Sequence, residues 1–199
     1  MRDLLLATNN KNKILEISQI LAGTNFKLIT PQQIGIEIEV LEDGKTYFEN
    51  ASKKAREFYE ASGIPTLADD SGLEVALLND EPGIHSHRYS PKPDATDWDR
   101  CEYLLSKLVD FPRPWKAAFH CEVVLWNGSG LVLRSHGICR GEIIPLARGA
   151  NGFGYDPIFE VEGTNQTMAE LSDEVKNSLS HRARALQSAI PALVHYGQN

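Results

Sequence analysis

The stretch "TLADDSGLEV", residues 66–75, places two adjacent carboxylates, Asp69 and Asp70, directly after a short apolar run. The apolar run "IPTLA" (64–68) predicts a buried strand, and we expect the acid pair to lie at its carboxyl end. Two neighbouring carboxylates repel each other. The pair is therefore interpreted either as a helix cap or turn, or as a site where a cation relieves the repulsion. Hard oxygen ligands favour Mg²⁺, with Mn²⁺ as a substitute, and a carboxylate can also take a proton from water.

The segments on both sides of this strand alternate between helical and extended patterns, without repeats or a linker. Strands are predicted for "DLLLAT" (3–8), "KAAFHCEVVLW" (116–126) and "LVLRSHGICRGEII" (131–144), with "NGSG" as a hairpin turn, and for a segment after the glycine-rich stretch 148–159. Helices are predicted for residues 11–23, 46–62, 96–109 and 180–196, and a long loop for 79–96. We expect one α/β or α+β domain over residues 1–199, with a mixed sheet.

Composition excludes several classes of protein. The hydrophobic fraction of 42% is ordinary for a globular domain, and the net charge of −7 argues against a general nucleic-acid surface. A local basic site can still bind a small anion. Cys101, Cys121 and Cys139 contain no C-x-x-C pair, which indicates reduced thiols. No segment has the pattern of a signal peptide or membrane span, so we expect a cytoplasmic protein that binds neither membrane nor nucleic acid.

The turn "TNNKNK" (8–13) lies between the first predicted strand and the first predicted helix. Free N–H groups at a helix N-terminus, together with Lys11 and Lys13, suit a phosphate group. The glycines of a P-loop are missing from this turn. The alternative interpretation is a polar turn in which Asn12 caps the helix and both lysines are solvated.

The glycine-rich stretch "GANGFGYDPIF" (149–159) allows the backbone to approach a ligand closely. Phe153 and Tyr155 can stack on a flat ring, although a glycine turn with core aromatics explains the same pattern. Lys176, His181 and Arg182 lie near the start of the last helix, where cations oppose the helix dipole. They indicate an acceptor-rich ligand or, alternatively, solvated surface charge.

His85 and His87 form an H-x-H pair in the long loop. With no third His or Cys nearby, a polar surface explains the pair better than a metal site does.

The order of these motifs is more informative than any one of them. "T-x-N-x-x-K" (8–13), "ENA-x-x-KA" (49–55), "ADDSGL" (68–73), "GFGYDPIF" (152–159) and "K…SHR" (176–182) together resemble the inosine triphosphate pyrophosphatase family, the XTP/dITP diphosphatases. The resemblance covers almost the whole chain. It implies an elongated, twisted mixed sheet flanked by helices, two lobes around a central cleft, and a homodimer. The implied reaction is the Mg²⁺-dependent hydrolysis of ITP, dITP and XTP to the monophosphate and pyrophosphate.

The resemblance also assigns roles to residues. Asp70 is implied as proton acceptor and metal ligand, with Asp69 supporting it and Ser71 touching substrate. The triphosphate group would be held by Lys54 and the turn Thr8, Asn9, Asn10, Lys11, Asn12 and Lys13. Asn50 and Lys54 are four residues apart, so a helix presents both on one face. The base would be held by Phe153, Gly154, Tyr155, Asp156, Lys176, His181 and Arg182.

The sequence departs from the family pattern at three places. Leu41 stands where the family commonly has a metal-binding Glu, so the third metal ligand is left open among Glu37, Glu39 and Glu42, and we predict Glu42. His85 and His87 replace a usual Tyr and small residue, and Asn151 stands where glycine is frequent. Two alternatives are a relative of the same fold that hydrolyses another modified triphosphate, and a nucleotide-binding module without turnover.

Overall fold

The computed structural model describes residues 1–198, and within that range it contains six β-strands and five α-helices. The strands are β1 (Arg2–Leu6), β2 (Phe26–Ile29), β3 (Thr66–Val75), β4 (Trp115–Asn127), β5 (Gly130–Ile143) and β6 (Phe159–Val161). The helices are α1 (Lys11–Ile20), α2 (Tyr47–Ser62), α3 (Asp97–Leu108), α4 (Asp173–Leu179) and α5 (His181–Gln198).

The strands form one sheet in the order β2-β1-β3-β4-β5-β6. β1 pairs in parallel with both β2 and β3, whereas β5 and β6 are antiparallel. The prediction of an α/β fold with a mixed sheet is therefore confirmed. The "NGSG" hairpin is confirmed as well, since β4 and β5 are adjacent in the chain and in the sheet.

The helix boundaries follow from specific caps. The Asn10 side chain accepts hydrogen bonds from the backbone N–H groups of Asn12 and Lys13, so α1 begins at Lys11. The interpretation of Asn12 as the cap was therefore wrong. α2 begins after the Thr46 cap and ends at Gly63, whose φ of +68° is the left-handed conformation that glycine adopts without steric cost.

β3 is longer than predicted. It continues through Asp69 and Asp70 to Val75, so the acid pair lies inside the strand, and both the predicted strand end and the alternative of a turn or helix cap were wrong. Both side chains are buried and have cationic or amide partners, which removes the need for a turn into solvent. β2 and α4 were not predicted, because four and seven residues are too few to establish a period.

The described residues divide into two compact units. Unit 1 consists of residues 1–70, 121–137 and the described part of 181–199; unit 2 consists of residues 71–120 and 138–180. The chain passes from one unit to the other within β3, β4 and β5, and again between α4 and α5. The single domain over residues 1–199 stays a prediction.

Unit 1 has an apolar cluster on each face of its strands. Leu4 and Leu6 of β1 belong to a cluster with residues of α1 and α5, whereas the intervening Leu5 belongs to a cluster with residues of α2. The alternation is that of a strand buried on both sides. Unit 2 has its own core around α3, which includes Leu104, Leu108 and Phe159. Among residues 1–198, no helix is both long and apolar enough to cross a membrane.

Candidate active site

The two aspartates of β3 lie on opposite faces of the strand. Leu67 belongs to the cluster below α1 and α5, and Ala68 to the cluster below α2. Since successive side chains of a strand alternate, Asp69 continues the first face and Asp70 the second. Their contacts agree, because Asp69 is bound by residues of α1 and α5 and Asp70 by residues of α2.

Asp69 is a buried, permanently charged carboxylate. Its Oδ2 accepts hydrogen bonds from Arg182 Nε at 3.1 Å and Nη2 at 3.0 Å, and lies 3.0 Å from Lys13 Nζ. Burial alone raises the pKa of Asp69, but Lys13 and Arg182 outweigh it and hold that pKa well below its usual range. Asp69 Oδ1 is also buried and has no hydrogen-bond partner among residues 1–198, so it retains full acceptor capacity.

Asp70 has the opposite electrostatic character. Its Oδ2 accepts a hydrogen bond from Asn50 Nδ2 at 3.1 Å, and its Oδ1 lies 3.5 Å from Lys54 Nζ. Asn50 is itself oriented, because its Oδ1 accepts from the backbone N–H of Gly44 at 2.8 Å. Burial raises the pKa of Asp70, and the opposing attraction of Lys54 and Lys13 does not cancel it. Two carboxylates whose pKa values are driven apart are suited to different roles, and the one with the raised pKa is the better proton acceptor.

Lys54 joins Asp70 to a further acid. Its Nζ lies 2.6 Å from Glu42 Oε1 as well as near Asp70. Burial lowers the pKa of Lys54, but Asp70 and Glu42 raise it more, so the ammonium stays charged. Asn50 and Lys54 lie on one face of α2, as their spacing predicts, and both side chains contact Asp70.

Glu42 is the one of the three candidate acids that reaches this group. Residues 36–42 alternate, with Ile36, Ile38 and Val40 packed against the cluster below α2 and with Glu37 and Glu39 exposed. Glu42 falls on the same side as the isoleucines, whereas the Leu41 side chain points out and is 70% exposed. A shift of one residue thus separates an inward acid from an outward one.

A divalent cation fits this donor set only together with a phosphate-bearing ligand. Among residues 1–198, no group of three or more His, Cys, Asp and Glu side chains is arranged to hold a metal by itself. Mg²⁺ in nucleotide sites is bound by one or two carboxylates, with substrate phosphates and water completing the shell. Asp70 and Glu42, which both contact Lys54 Nζ, supply that number of protein ligands, whereas Asp69 faces the other side of β3.

The predicted phosphate turn lies at the start of α1. The backbone N–H of Asn10 donates to Thr8 Oγ1 at 3.2 Å, and Asn9 Oδ1 accepts from Gln32 Nε2 at 3.0 Å. Lys11 and Asn12 are exposed. Lys13 is the member of the turn that the structure joins to the acid pair, through its contact with Asp69.

A second group of predicted residues comes together in unit 2. Lys176 Nζ lies 2.7 Å from Asp156 Oδ2, and both side chains are 5% exposed. The same Asp156 oxygen accepts from the backbone N–H of Phe153 at 2.9 Å, and Lys176 Nζ lies 5.0 Å from the Phe153 ring centroid. The Lys176 ammonium therefore lies next to both the Asp156 carboxylate and the Phe153 ring.

Other predicted residues lie elsewhere. Arg182 belongs to unit 1, where its guanidinium donates to Asp69 and to Glu16. Tyr155 is packed in the unit 2 core, and its hydroxyl donates to the Ser86 carbonyl at 2.8 Å. Both Tyr155 and Arg182 therefore have structural partners of their own.

The remaining predicted positions are quickly placed. His181 is buried in the first turn of α5, and Ser71 follows Asp70 in β3 as a half-buried residue. His85 and His87 are exposed in a short 3₁₀ helix, Gly83–Arg88. Asn151 donates from Nδ2 to the Leu171 carbonyl at 3.0 Å.

Glu16 is a partner of this site that sequence reasoning missed. It is buried on α1, and its carboxylate accepts from Arg182 Nη1. The available signal was an acid one turn after Lys13, next to Ile17 on the buried face of the helix.

Known proteins are similar to this chain in sequence and in fold. A family model described as the Ham1 family matches residues 4–192. The dITP/XTP pyrophosphatase of Geobacter sulfurreducens is 45% identical over 187 residues, covering 94% of each chain. That of Vibrio cholerae is 40% identical over 196 residues, covering 97% of each chain.

Solved structures agree with these relatives. A HAM1 protein from Coxiella burnetii superposes with a TM-score of 0.89 at 39% identity, covering 98% of this chain and all of that one. The Staphylococcus aureus Ham1 protein superposes with a TM-score of 0.84 at 35% identity, covering 100% of each chain. The family match spans both β3 aspartates and both groups of side chains, and this chain belongs to the Ham1 family.

Proposed function

We propose that this protein is a nucleoside triphosphate pyrophosphatase that converts ITP, dITP and XTP to their monophosphates and pyrophosphate. The observation that carries the proposal is the pair of adjacent buried carboxylates, of which Asp69 is bound by Lys13 and Arg182, and Asp70 by Asn50 and Lys54. The names of the relatives support the choice of substrates. The reaction needs one group that stays ionised and one that accepts a proton, and this pair supplies both.

Asp70 is the proposed general base. Its raised pKa makes it a better proton acceptor than an ordinary aspartate. Asn50 fixes the orientation of this carboxylate by donating to Oδ2. A water molecule beside Asp70 therefore loses its proton as its oxygen attacks phosphorus.

Cations of unit 1 stabilise the charge on the phosphates. Lys54 is held charged beside Asp70, and Lys13 lies at the end of the phosphate turn, so both can meet the negative charge that develops on the pyrophosphate leaving group. Asp69 Oδ2 holds Lys13 in place, and the same oxygen accepts from Arg182, which fixes the Asp69 carboxylate.

A divalent cation is the proposed cofactor, with Mg²⁺ preferred and Mn²⁺ as a substitute. Asp70 and Glu42, which both contact Lys54, would hold it, and Asp69 on the opposite face of β3 would support the site by fixing Lys13. When bound, such an ion neutralises phosphate charge and lowers the pKa of a bound water.

Base recognition is assigned to Phe153, Asp156 and Lys176 in unit 2. The charged Lys176 amine only donates hydrogen bonds, so it suits the 6-oxygen of hypoxanthine or xanthine and opposes the 6-amino group of adenine. Phe153 offers a face for stacking. The family resemblance further supports a homodimer located in the cytoplasm, and sedimentation of the purified protein would test the dimer.

A substrate panel tests the proposal. Pyrophosphate release is measured with ITP, dITP, XTP, ATP, GTP and the pyrimidine triphosphates, with and without Mg²⁺, for the wild type and Asp70→Asn. The proposal expects turnover of the three deaminated purines, which requires the cation and Asp70. Preferred turnover of a pyrimidine triphosphate would favour a different modified base, and binding without turnover would indicate a nucleotide-binding module.

A further inference from the structure

Two side chains at the start of α3 form hydrogen bonds with the backbone of Gly154, in the loop that carries Phe153 and Asp156. The backbone N–H of Gly154 donates to Asp97 Oδ2 at 2.7 Å. The carbonyl of the same residue accepts from the Cys101 thiol at 3.4 Å. Asp97 and Cys101 are one helical turn apart, so a single rigid helix holds both polar groups of Gly154.

The orientation of the Asp97 carboxylate and the protonated state of the Cys101 thiol both suit these hydrogen bonds. The guanidinium of Arg100 forms an ion pair with the other oxygen of Asp97, and its Nη1 donates to the Ala95 carbonyl at 2.6 Å. Arg100 is itself buried, so it fixes the Asp97 carboxylate against Gly154. Burial raises the pKa of Cys101 to about 12, so at neutral pH the sulfur carries the proton that it donates.

Gly154 lies in the middle of the loop 152–156, which carries the proposed base-recognising residues Phe153 and Asp156. Phe153, directly before it, donates its backbone N–H to Asp156, and Tyr155, directly after it, is anchored through its hydroxyl to Ser86. Rotation of the Gly154 peptide would therefore move the Phe153 ring relative to Asp156. Gly154 has a φ of +63°, which leaves its conformation to be set by its hydrogen bonds rather than by a side chain.

We propose that Asp97, oriented by Arg100 and assisted by Cys101, is a positioning residue for recognition of the purine base. Through the Gly154 peptide, it fixes the position of the Phe153 ring relative to the Asp156–Lys176 pair, without touching the nucleotide. The inference rests on the proposed function, because it takes the loop 152–156 as the part that meets the base.

The test separates binding of the base from binding of the phosphates. Affinities for inosine monophosphate and for inorganic pyrophosphate are measured by titration calorimetry on the purified full chain, for the wild type, Asp97→Ala and Cys101→Ala. Asp97→Ala is expected to weaken inosine monophosphate binding about tenfold, the size of one lost charge-assisted hydrogen bond. Pyrophosphate affinity should stay within about twofold of the wild-type value, since the proposed phosphate-binding residues Lys13 and Lys54 belong to unit 1.

A matched control comes from the same helix turn. Asp99 caps α3 by accepting from the backbone N–H of Thr96 at 2.8 Å and has no bond to Gly154. Asp99→Ala should lower the thermal midpoint as Asp97→Ala does, but leave inosine monophosphate binding unchanged. Asp97→Asn keeps an acceptor oxygen for the Gly154 N–H and should recover most of the lost affinity.

Three results would overturn the inference. These are an unchanged inosine monophosphate affinity in Asp97→Ala, equal losses of inosine monophosphate and pyrophosphate, or the same loss in Asp99→Ala. If Asp97→Ala does not fold, Cys101→Ala is the deciding variant. It should weaken inosine monophosphate binding by less than Asp97→Ala would, without changing pyrophosphate binding. An unchanged affinity for inosine monophosphate in Cys101→Ala would then overturn the inference. Failure of the proposed function is distinguishable, because the wild type would then release no pyrophosphate from ITP.

Discussion

Asp69 and Asp70 are neighbours in the chain, yet they face opposite sides of β3 and are bound by different cations. Asp69 shares one oxygen between Lys13 and Arg182, whereas Asp70 lies beside Asn50 and Lys54. Their mutual repulsion is therefore relieved on two sides by the protein's own cations. The consequence is a division of labour, with an anion that supports the structure next to a carboxylate that can exchange a proton.

Asp70→Asn should abolish most turnover while preserving the fold. An amide neither accepts a proton at neutral pH nor binds Mg²⁺ well, and loss of a general base alone costs roughly 10²–10⁴-fold in rate. The measurement is kcat for pyrophosphate release from ITP at saturating Mg²⁺. A variant that kept more than about a tenth of the wild-type kcat would show that another group takes the proton.

Asp69→Asn should affect stability much more than Asp70→Asn does. Removing the Asp69 charge leaves Lys13 and the buried Arg182 without a shared anion, and breaking a buried ion pair costs about 3–5 kcal/mol in the free energy of unfolding. Asp70 is the reverse case, since its raised pKa means that burial disfavours its charged form. Asp70→Asn should leave the free energy of unfolding unchanged or slightly increased.

Urea unfolding at neutral pH compares the two variants directly. Equal losses in Asp69→Asn and Asp70→Asn would contradict the division of roles.

Glu42→Gln should raise the Mg²⁺ concentration needed for half-maximal activity by about 10–100-fold, the usual cost of losing a supporting group at a metal site. The control is Glu39→Gln, because Glu39 lies in the same segment but is exposed to solvent. Activity is titrated with Mg²⁺ at fixed ITP. If both variants match the wild-type titration, Glu42 serves Lys54 alone.

Lys176→Met should narrow the preference for ITP over ATP. A site built around a hydrogen bond rejects the wrong partner by as much as roughly 10⁴–10⁵-fold, and the methionine removes the donor that favours the 6-oxygen. Arg182→Lys, in contrast, changes a residue whose donors go to Asp69 and Glu16, so kcat/KM should fall equally for ITP and ATP. A larger change of the ITP-to-ATP ratio in Arg182→Lys than in Lys176→Met would place Arg182 at the base.

Local sequence patterns identified most of the elements but not how far each extends. The α2 helix was predicted with its end at Gly63, because a periodic apolar stripe stops at a residue suited to the left-handed conformation. β3 was cut short at Ala68, because two charges are ordinarily a sign of a turn. Only long-range partners make them compatible with a buried strand, and Arg182 is 113 residues away from Asp69 in the chain.

The candidate site shows the same limit. Asn50 and Lys54 were placed together correctly, since their spacing within one helix fixes their common face. Lys176 and Arg182 are also close in sequence, but a change of element between α4 and α5 sends them to different units and different carboxylates. Proximity in the chain predicts contact within one helix and fails across a cap such as Ser180.

The most direct test of the central claim is the product ratio from ITP. Purified protein is incubated with ITP and Mg²⁺, and phosphorus NMR follows the products in time, with Asp70→Asn and a chelator-treated sample as controls. The proposed reaction gives inosine monophosphate and pyrophosphate in equal amounts, and neither control gives either product. Release of inosine diphosphate and inorganic phosphate, or undiminished turnover in Asp70→Asn, would contradict it.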